Sequence, residues 1–324
     1  MTSKGLNIVV LDGYASNPGD LSWKAFEAIG EVTVYERTPE ELTVERSLDA
    51  DIVLTNKAKL SAEILDQLPK LKYIGILATG TNIVDLEHAR KRNIAVTNVP
   101  GYSTDAVAQH VFAMMLNFSS RVADHDTSVH RGNWVNCKDF SYTLGPIHEL
   151  SGKKIGIIGL GTIGRKIAEI ANCFGMEIIA AHQSSMNRLE LPYRVSWLPV
   201  DEVFQQADFI SLNCPLTDAT DSLVNEERLA SMKSSAYLIN TGRGPLIDEA
   251  ALAKALNNHV LAGAALDVLC QEPPAKNNPL LTAKNCVLTP HIAWASVEAR
   301  GRLLQIASSN IKAFLKDKKE NLVN

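Results

Sequence analysis

The chain has 324 residues, 46% of them hydrophobic and 21% charged, with a formal net charge of −4. That length exceeds one compact core and suits two α/β domains, and so ordinary a composition excludes a disordered chain. Charges of both signs are interspersed, so there is no basic stripe to neutralise a phosphate backbone, and nucleic acid is not an expected partner. No apolar run approaches the ~20 residues of a membrane span, and the short polar start before Asn7 does not read as a signal peptide. The terminal Glu320-Asn321-Leu322-Val323-Asn324 matches no targeting address. Cys137, Cys173, Cys214, Cys270 and Cys286 are scattered, without a CxxC pair, and suggest neither a disulfide framework nor a metal site. Reduced thiols and a cytoplasmic setting are expected.

From the N-terminus, apolar runs at residues 7–12, 32–35, 51–55, 73–77 and 95–98 have the continuous hydrophobicity of strands buried on both faces. Helical segments separate them at 22–29, 39–48, 61–68 and 85–91, with Ser22 and Ser61 placed as N-caps and Pro39 in a first turn. Strands alternating with helices in this way predict a parallel sheet with helices on both faces. Residues 103–119 form a long apolar helix with no strand after it, and the polar stretch 121–150 carries Trp134, Phe140 and Tyr142. This stretch reads as an arm whose aromatics either meet a second subunit or fold back on their own domain.

A second alternating series opens at Lys154. Strands are expected at 154–158, 176–181, 209–214, 237–240, 261–265 and 286–289, and helices at 163–174, 200–207, 226–232 and 249–257. The last helix, 297–315, comes after this unit is complete and is expected to return to the first. The expected division is therefore a discontinuous domain of residues 1–101 and 293–324, and a second domain of 102–292 with its arm at about 121–150.

Gly159-Leu160-Gly161-Thr162-Ile163-Gly164 follows an apolar strand and opens a helix. Gly159 permits the tight turn, Gly161 lets backbone N–H groups approach a pyrophosphate, and Gly164 allows close packing of helix on strand. Strand, glycine turn and helix in that order point to a Rossmann dinucleotide-binding domain. An acid is expected at the end of the next strand if the cofactor is NAD, and His182 stands there. His182, Gln183, Ser184, Ser185 and Arg188 are suited to a 2′-phosphate, which favours NADP(H) slightly over NAD(H). The alternative, an acidic position that has been lost while NAD is still accepted, stays open.

Three further segments follow strands of the second series, where ligands bind in open α/β sheets. Arg243 lies in the turn Asn240-Thr241-Gly242-Arg243-Gly244, and a guanidinium can bind a carboxylate while polarising a neighbouring carbonyl. Glu272 precedes Pro273-Pro274, and His291 follows Thr289-Pro290. Taken singly, each is equally well a surface or structural residue. Together they suit reversible reduction of a 2-oxo acid: Arg243 anchors the substrate, His291 gives the proton, and Glu272 fixes and charges the imidazole.

The order GLGTIG, NTGRG, LDVLCQEPP and TPHIAWAS resembles the D-isomer-specific 2-hydroxyacid dehydrogenase family. With Ala78-Thr79-Gly80-Thr81-Asn82 and Val99-Pro100-Gly101, the resemblance covers nearly the whole chain. Within that family, Thr55-Asn56-Lys57, Leu77-Ala78-Thr79-Gly80 and His291-Ile292-Ala293-Trp294 are most similar to the bacterial glycerate dehydrogenase branch. The resemblance implies a flavodoxin-like substrate domain beside the Rossmann domain, and Arg243, Glu272 and His291 as catalytic residues. It implies substrate contacts at Asn56, Ala78, Thr79, Gly80 and Trp294, with the Thr79 and Gly80 backbone receiving the substrate carboxylate. Asp267 is implied at the nicotinamide carboxamide and Thr104 near its ring. Thr162, Ile163, Cys214, Pro215 and Thr241 complete the expected cofactor contacts. The implied activity is reduction of hydroxypyruvate and glyoxylate to D-glycerate and glycolate by a homodimer. Alternatives are a dehydrogenase of another small 2-oxo acid, or a dinucleotide-sensing scaffold that resembles a corepressor. His182 departs from the family's usual Asp, and Asn213 from its frequent His.

Overall fold

The computed structural model describes residues 5–181 and 190–324. It divides into two compact units, Met1–Ser103 with Trp294–Asn324, and Thr104–Ala293. The crossings thus follow Ser103 and Ala293, against the expected 101 and 292.

In the first unit, β1 (Asn7–Val10), β2 (Glu31–Val34), β3 (Ile52–Thr55), β4 (Tyr73–Ile76) and β5 (Ala95–Thr97) form one sheet in the order β2-β1-β3-β4-β5. Every pairing is parallel, and this is the flavodoxin-like order. β3 and β4 are buried along their whole length, as their unbroken apolar sequences IVLT and YIGI require. The last helix, Val297–Phe314, belongs to this unit, and its Asn310 Nδ2 donates to Asn98 O at 3.0 Å. The C-terminal tail closes the open edge of β5: Val323 N donates to Val96 O at 2.9 Å, and the Asn324 amide bonds Val96 N and Ile94 O.

The second unit holds β6 (Lys154–Ile158), β7 (Glu177–Ala181), β8 (Val195–Leu198), β9 (Phe209–Leu212), β10 (Tyr237–Asn240), β11 (Gly263–Leu266) and β12 (Cys286–Leu288). Their order is β12-β11-β10-β9-β6-β7-β8, again all parallel. The winding reverses between β6 and β9, so the carboxyl ends of these two strands open the crevice in which such sheets bind ligands. Helices start on side-chain caps at Asn225 and Asp248, each accepting the N–H three residues on.

Several elements differ from the sequence expectation: β2, expected to be buried on both faces, is an edge strand exposed at Glu31, Thr33 and Val34, and a short helix, Gly13–Ser16, follows β1. β8 is an edge strand, half-buried except at the exposed Ser196, and so lacks the continuous apolar run that marks its neighbours. A helix, Val122–His130, lies within the expected arm; its Val122 and Val129 are exposed while Ser128 is buried, so hydrophobic periodicity does not reveal it. Of the two proposed caps, Ser61 occupies the position but makes no side-chain cap bond. The cap at the other helix is Trp23, with Ser22 Oγ accepting from Lys24 N at 3.2 Å. No described helix is long and apolar enough to cross a membrane.

Candidate active site

β6 ends at Ile158, and Gly159-Leu160-Gly161 turns the chain into the helix Thr162–Cys173. Gly159 has φ of +96°, and a Cβ there would lie 2.6 Å from the Cys214 nitrogen. A Cβ on Gly164 would lie 2.2 Å from Gly159 O, so helix and turn are in backbone contact. Gly161 is different: a Cβ there would meet nothing within 4 Å. It caps the helix without a side-chain bond, and no acid occupies the first turn. The helix therefore presents unsatisfied N–H groups and its positive end to open space, which is what a pyrophosphate needs.

Asn213 and Thr241 follow β9 and β10, and their Oδ1 and Oγ1 atoms are buried with no hydrogen-bond partner in the described residues. Leaving such an atom unpaired costs roughly 1–3 kcal/mol. A bound dinucleotide, rich in hydroxyl and amide groups, suits both the open turn and these two atoms. Thr162 is exposed and Ile163 half-buried at the helix start, with Pro215 exposed beside the buried Cys214, whose thiol is pushed up by burial. His182, Gln183 and Ser184 lie outside the described residues, as do Ser185 and Arg188.

The three expected catalytic side chains all stand at carboxyl ends of this sheet. Asn240, fully buried, ties the Arg243 turn with both ends of its carboxamide: Oδ1 accepts from Gly242 N at 2.9 Å, and Nδ2 donates to Arg243 O at 2.8 Å. The exposed Arg243 guanidinium donates to Gly242 O at 2.8 Å and makes no ion pair with any described carboxylate. Gly244 then meets the loop that bears Glu272, with room for no side chain: a Cβ would sit 2.0 Å from the Leu269 carbonyl carbon.

Glu272 Oε2 lies 2.6 Å from His291 Nδ1, and Oε1 accepts from Leu269 N at 3.2 Å. The Glu272–Pro273 peptide is cis. His291 has φ of +55°, and its N–H donates to Asp267 O at 2.8 Å. The Asp267 carboxylate, 2% exposed, accepts from Ile292 N and Ala293 N at 2.8 Å each and from Thr289 Oγ1 at 2.6 Å. Asp267 thus holds the backbone on both sides of His291.

In the first unit, Ala78-Thr79-Gly80 follows β4. Ala78 O accepts from Val99 N at 3.0 Å, Thr79 O from Asn98 Nδ2 at 2.7 Å, and Thr79 Oγ1 donates to Val99 O at 2.9 Å. The N–H groups of Thr79 and Gly80 donate to no described residue. Asn56 is 5% exposed, and its Nδ2 donates to Leu77 O at 2.5 Å. Trp294 is half-buried, edge-on to Tyr102 with ring centroids 6.3 Å apart.

Residues 112–293 match the family model described as D-isomer specific 2-hydroxyacid dehydrogenase, NAD binding domain. The chain is 44% identical over 322 residues to a hydroxypyruvate reductase of Blautia hydrogenotrophica, covering 98% of this chain and 100% of that protein. The chain belongs to the D-isomer specific 2-hydroxyacid dehydrogenase family. A glycerate dehydrogenase of Methylorubrum extorquens is 39% identical over 308 residues, covering 94% of this chain and 95% of that one. Among solved structures, an NADPH-dependent glyoxylate/hydroxypyruvate reductase from Sinorhizobium meliloti, in complex with citrate, is similar with a TM-score of 0.82 at 28% identity. That match covers 98% of this chain and 97% of the other.

As a member of this dehydrogenase family, the chain carries a nicotinamide-dinucleotide-binding domain in its second unit. Three residues escaped the sequence reading. Asn240 and Gly244 act only through contacts that motif spacing does not reveal. His110 stands on the helix Thr104–Ser120, which Thr104 opens, and its Nε2 lies 3.1 Å from Thr289 Oγ1 and 3.6 Å from Asp267 Oδ1. Desolvation, together with the Glu249 carboxylate, pushes the thiol of Cys270, two residues before Glu272, up to about 11, which disfavours the thiolate.

Proposed function

We propose that the chain reduces hydroxypyruvate and glyoxylate, reversibly, to D-glycerate and glycolate at the expense of a nicotinamide dinucleotide. The observation that carries this reading is the Glu272–His291 pair, 2.6 Å apart with side chains 35% and 30% exposed. Such a pair can pass a proton to a ligand and be recharged from solvent. The dinucleotide, when bound, supplies or accepts the hydride. Glu272 occupies Nδ1 of His291 and leaves Nε2 to give its proton to the carbonyl oxygen as that oxygen becomes a hydroxyl. Arg243, with no carboxylate partner among the described residues, takes the substrate carboxylate and polarises the carbonyl. The open N–H groups of Thr79 and Gly80 also serve the carboxylate, and Trp294 flanks the substrate.

NADP(H) is the favoured cofactor, because no acid at His182 repels a 2′-phosphate; a Sinorhizobium relative is itself NADPH-dependent. The chain works as a cytoplasmic homodimer whose contact includes the arm. Tyr142 folds back to donate to Ser128 Oγ at 2.9 Å, whereas Val135 and Phe140 stand 89% and 90% exposed and need a partner surface.

The test is loss of absorbance at 340 nm with a panel of 2-oxo acids, run with NADH and NADPH in parallel. Hydroxypyruvate and glyoxylate should turn over fastest, with kcat/KM for NADPH equal to or above that for NADH. A protein that binds dinucleotide tightly and turns over none of the panel contradicts the reading. A clear preference for another 2-oxo acid moves it to a sister activity.

A further inference from the structure

Asp12 belongs to none of the groups assigned above, yet it is 8% exposed at the carboxyl end of β1 and is surrounded by donors. Its Oδ1 accepts from Asn56 N at 2.8 Å, and its Oδ2 from Lys57 N and from Ala58 N at 2.9 Å, with the buried Thr55 hydroxyl at 3.4 Å. One carboxylate therefore fixes three successive peptides of the loop after β3. That loop in turn carries Asn56, whose Nδ2 bonds Leu77 O.

In a trans peptide the N–H points opposite to the C=O, and the described peptides here are all trans. Three successive carbonyls are pinned: Leu77 O by Asn56, Ala78 O by Val99 N, and Thr79 O by Asn98 Nδ2. Each pinned carbonyl turns the following N–H, those of Ala78, Thr79 and Gly80, away from its own partner.

We propose that Asp12 is a positioning residue for recognition of the substrate carboxylate. It acts through Asn56, which fixes the Leu77–Ala78 peptide, to hold in place the start of the segment that carries the Thr79 and Gly80 N–H groups, and in this role Asn56 is a tether. This rests on the proposed function, in which those N–H groups serve the carboxylate.

In the full-length enzyme, Asp12→Asn should raise the KM for hydroxypyruvate about tenfold or more, the value of one charge-assisted hydrogen bond. The dissociation constant for NADPH, read by its fluorescence, should stay within about twofold because the dinucleotide turn is in the other unit. Asn56→Ala leaves the Asp12 bonds to the backbone in place and should give the same split. It carries the test if Asp12→Asn fails to fold. The double variant should be no worse than the worse single one, since both act along one path. Unchanged KM in the variants that fold, additive effects, or equal losses in KM and NADPH affinity would each overturn the proposal. A wild type that reduces no 2-oxo acid overturns the proposed function instead. The Leu77 N–H donates to Thr55 O at 2.8 Å, in the peptide whose N–H Asp12 holds; its hydrogen-exchange protection should fall in Asp12→Asn, and unaltered protection refutes the coupling.

Discussion

Gly244 and Leu269 are in backbone contact so close that a Cβ on Gly244 would lie 2.0 Å from the Leu269 carbonyl carbon and 2.1 Å from its oxygen. This contact joins the Arg243 turn to the loop that ends in Glu272. Backbone cannot yield as a flexible side chain does, so Gly244→Ala must displace one segment or the other. A shift of about 1 Å in a catalytic group can cost on the order of 100-fold. The expected outcome for Gly244→Ala is a loss of that size in kcat/KM, with dinucleotide affinity retained. Near wild-type activity would mean that the two segments are not catalytically coupled.

Arg243→Ala removes the anchor and the polarising charge together and should both raise KM for the 2-oxo acid and lower kcat. Arg243→Lys should also be poor, because a point charge does not reproduce the planar fork. Steady-state kinetics of the two variants check this. A near wild-type KM in the alanine variant would place the carboxylate elsewhere.

Much of this architecture is legible in the sequence because parallel strands buried on both faces show as unbroken apolar runs, as in IVLT and YIGI. The turn Gly159–Gly164 is legible for a different reason: each glycine answers a local steric demand, and the spacing records it. Glu272 and His291 are visible as chemistry, but their 2.6 Å contact spans 19 residues and depends on the fold. β8 is hidden because its Val195 and Trp197 alternate with exposed Ser196 in place of an unbroken apolar run, and the helix Val122–His130 because it buries no regular apolar face. Asn240, His110 and Asp12 were hidden because a buried polar residue is defined by its partners, which no period in the sequence marks. The motif marks Asn56 as a candidate substrate contact, but its Nδ2 bond to Leu77 O, which links the loop after β3 to the segment after β4, depends on the fold.

A separate prediction concerns the stability of the first unit. Arg300, 6% exposed on the last helix, bonds both carboxylate oxygens of Asp20, at 2.7 and 2.6 Å, and its Nε donates to Ala295 O. The hydrogen bonds from Arg300 hold the Asp20 carboxyl below its ordinary range. A lowered folded value means that the stabilisation is complete above the ordinary carboxylate range and is lost as pH falls from there through the lowered folded value. Asp20→Asn should therefore lower the Tm at neutral pH, and the difference from the wild type should start to shrink only as pH falls below about 4. A difference in Tm that is the same at both pH values would contradict this assignment.

The central claim is that Glu272 and His291 form the acid–base pair, and the pH profile of kcat/KM for hydroxypyruvate reduction tests it most directly. Reduction consumes a proton, so His291 must be protonated when the 2-oxo acid binds. The Glu272 carboxylate at Nδ1 favours that charged form, and a neutral amide does not. In Glu272→Gln, which removes the carboxylate charge that meets Nδ1, the alkaline fall in reduction should begin at lower pH than in the wild type. Coincident profiles for the two proteins would contradict the account and leave Glu272 as a loop residue beside two prolines.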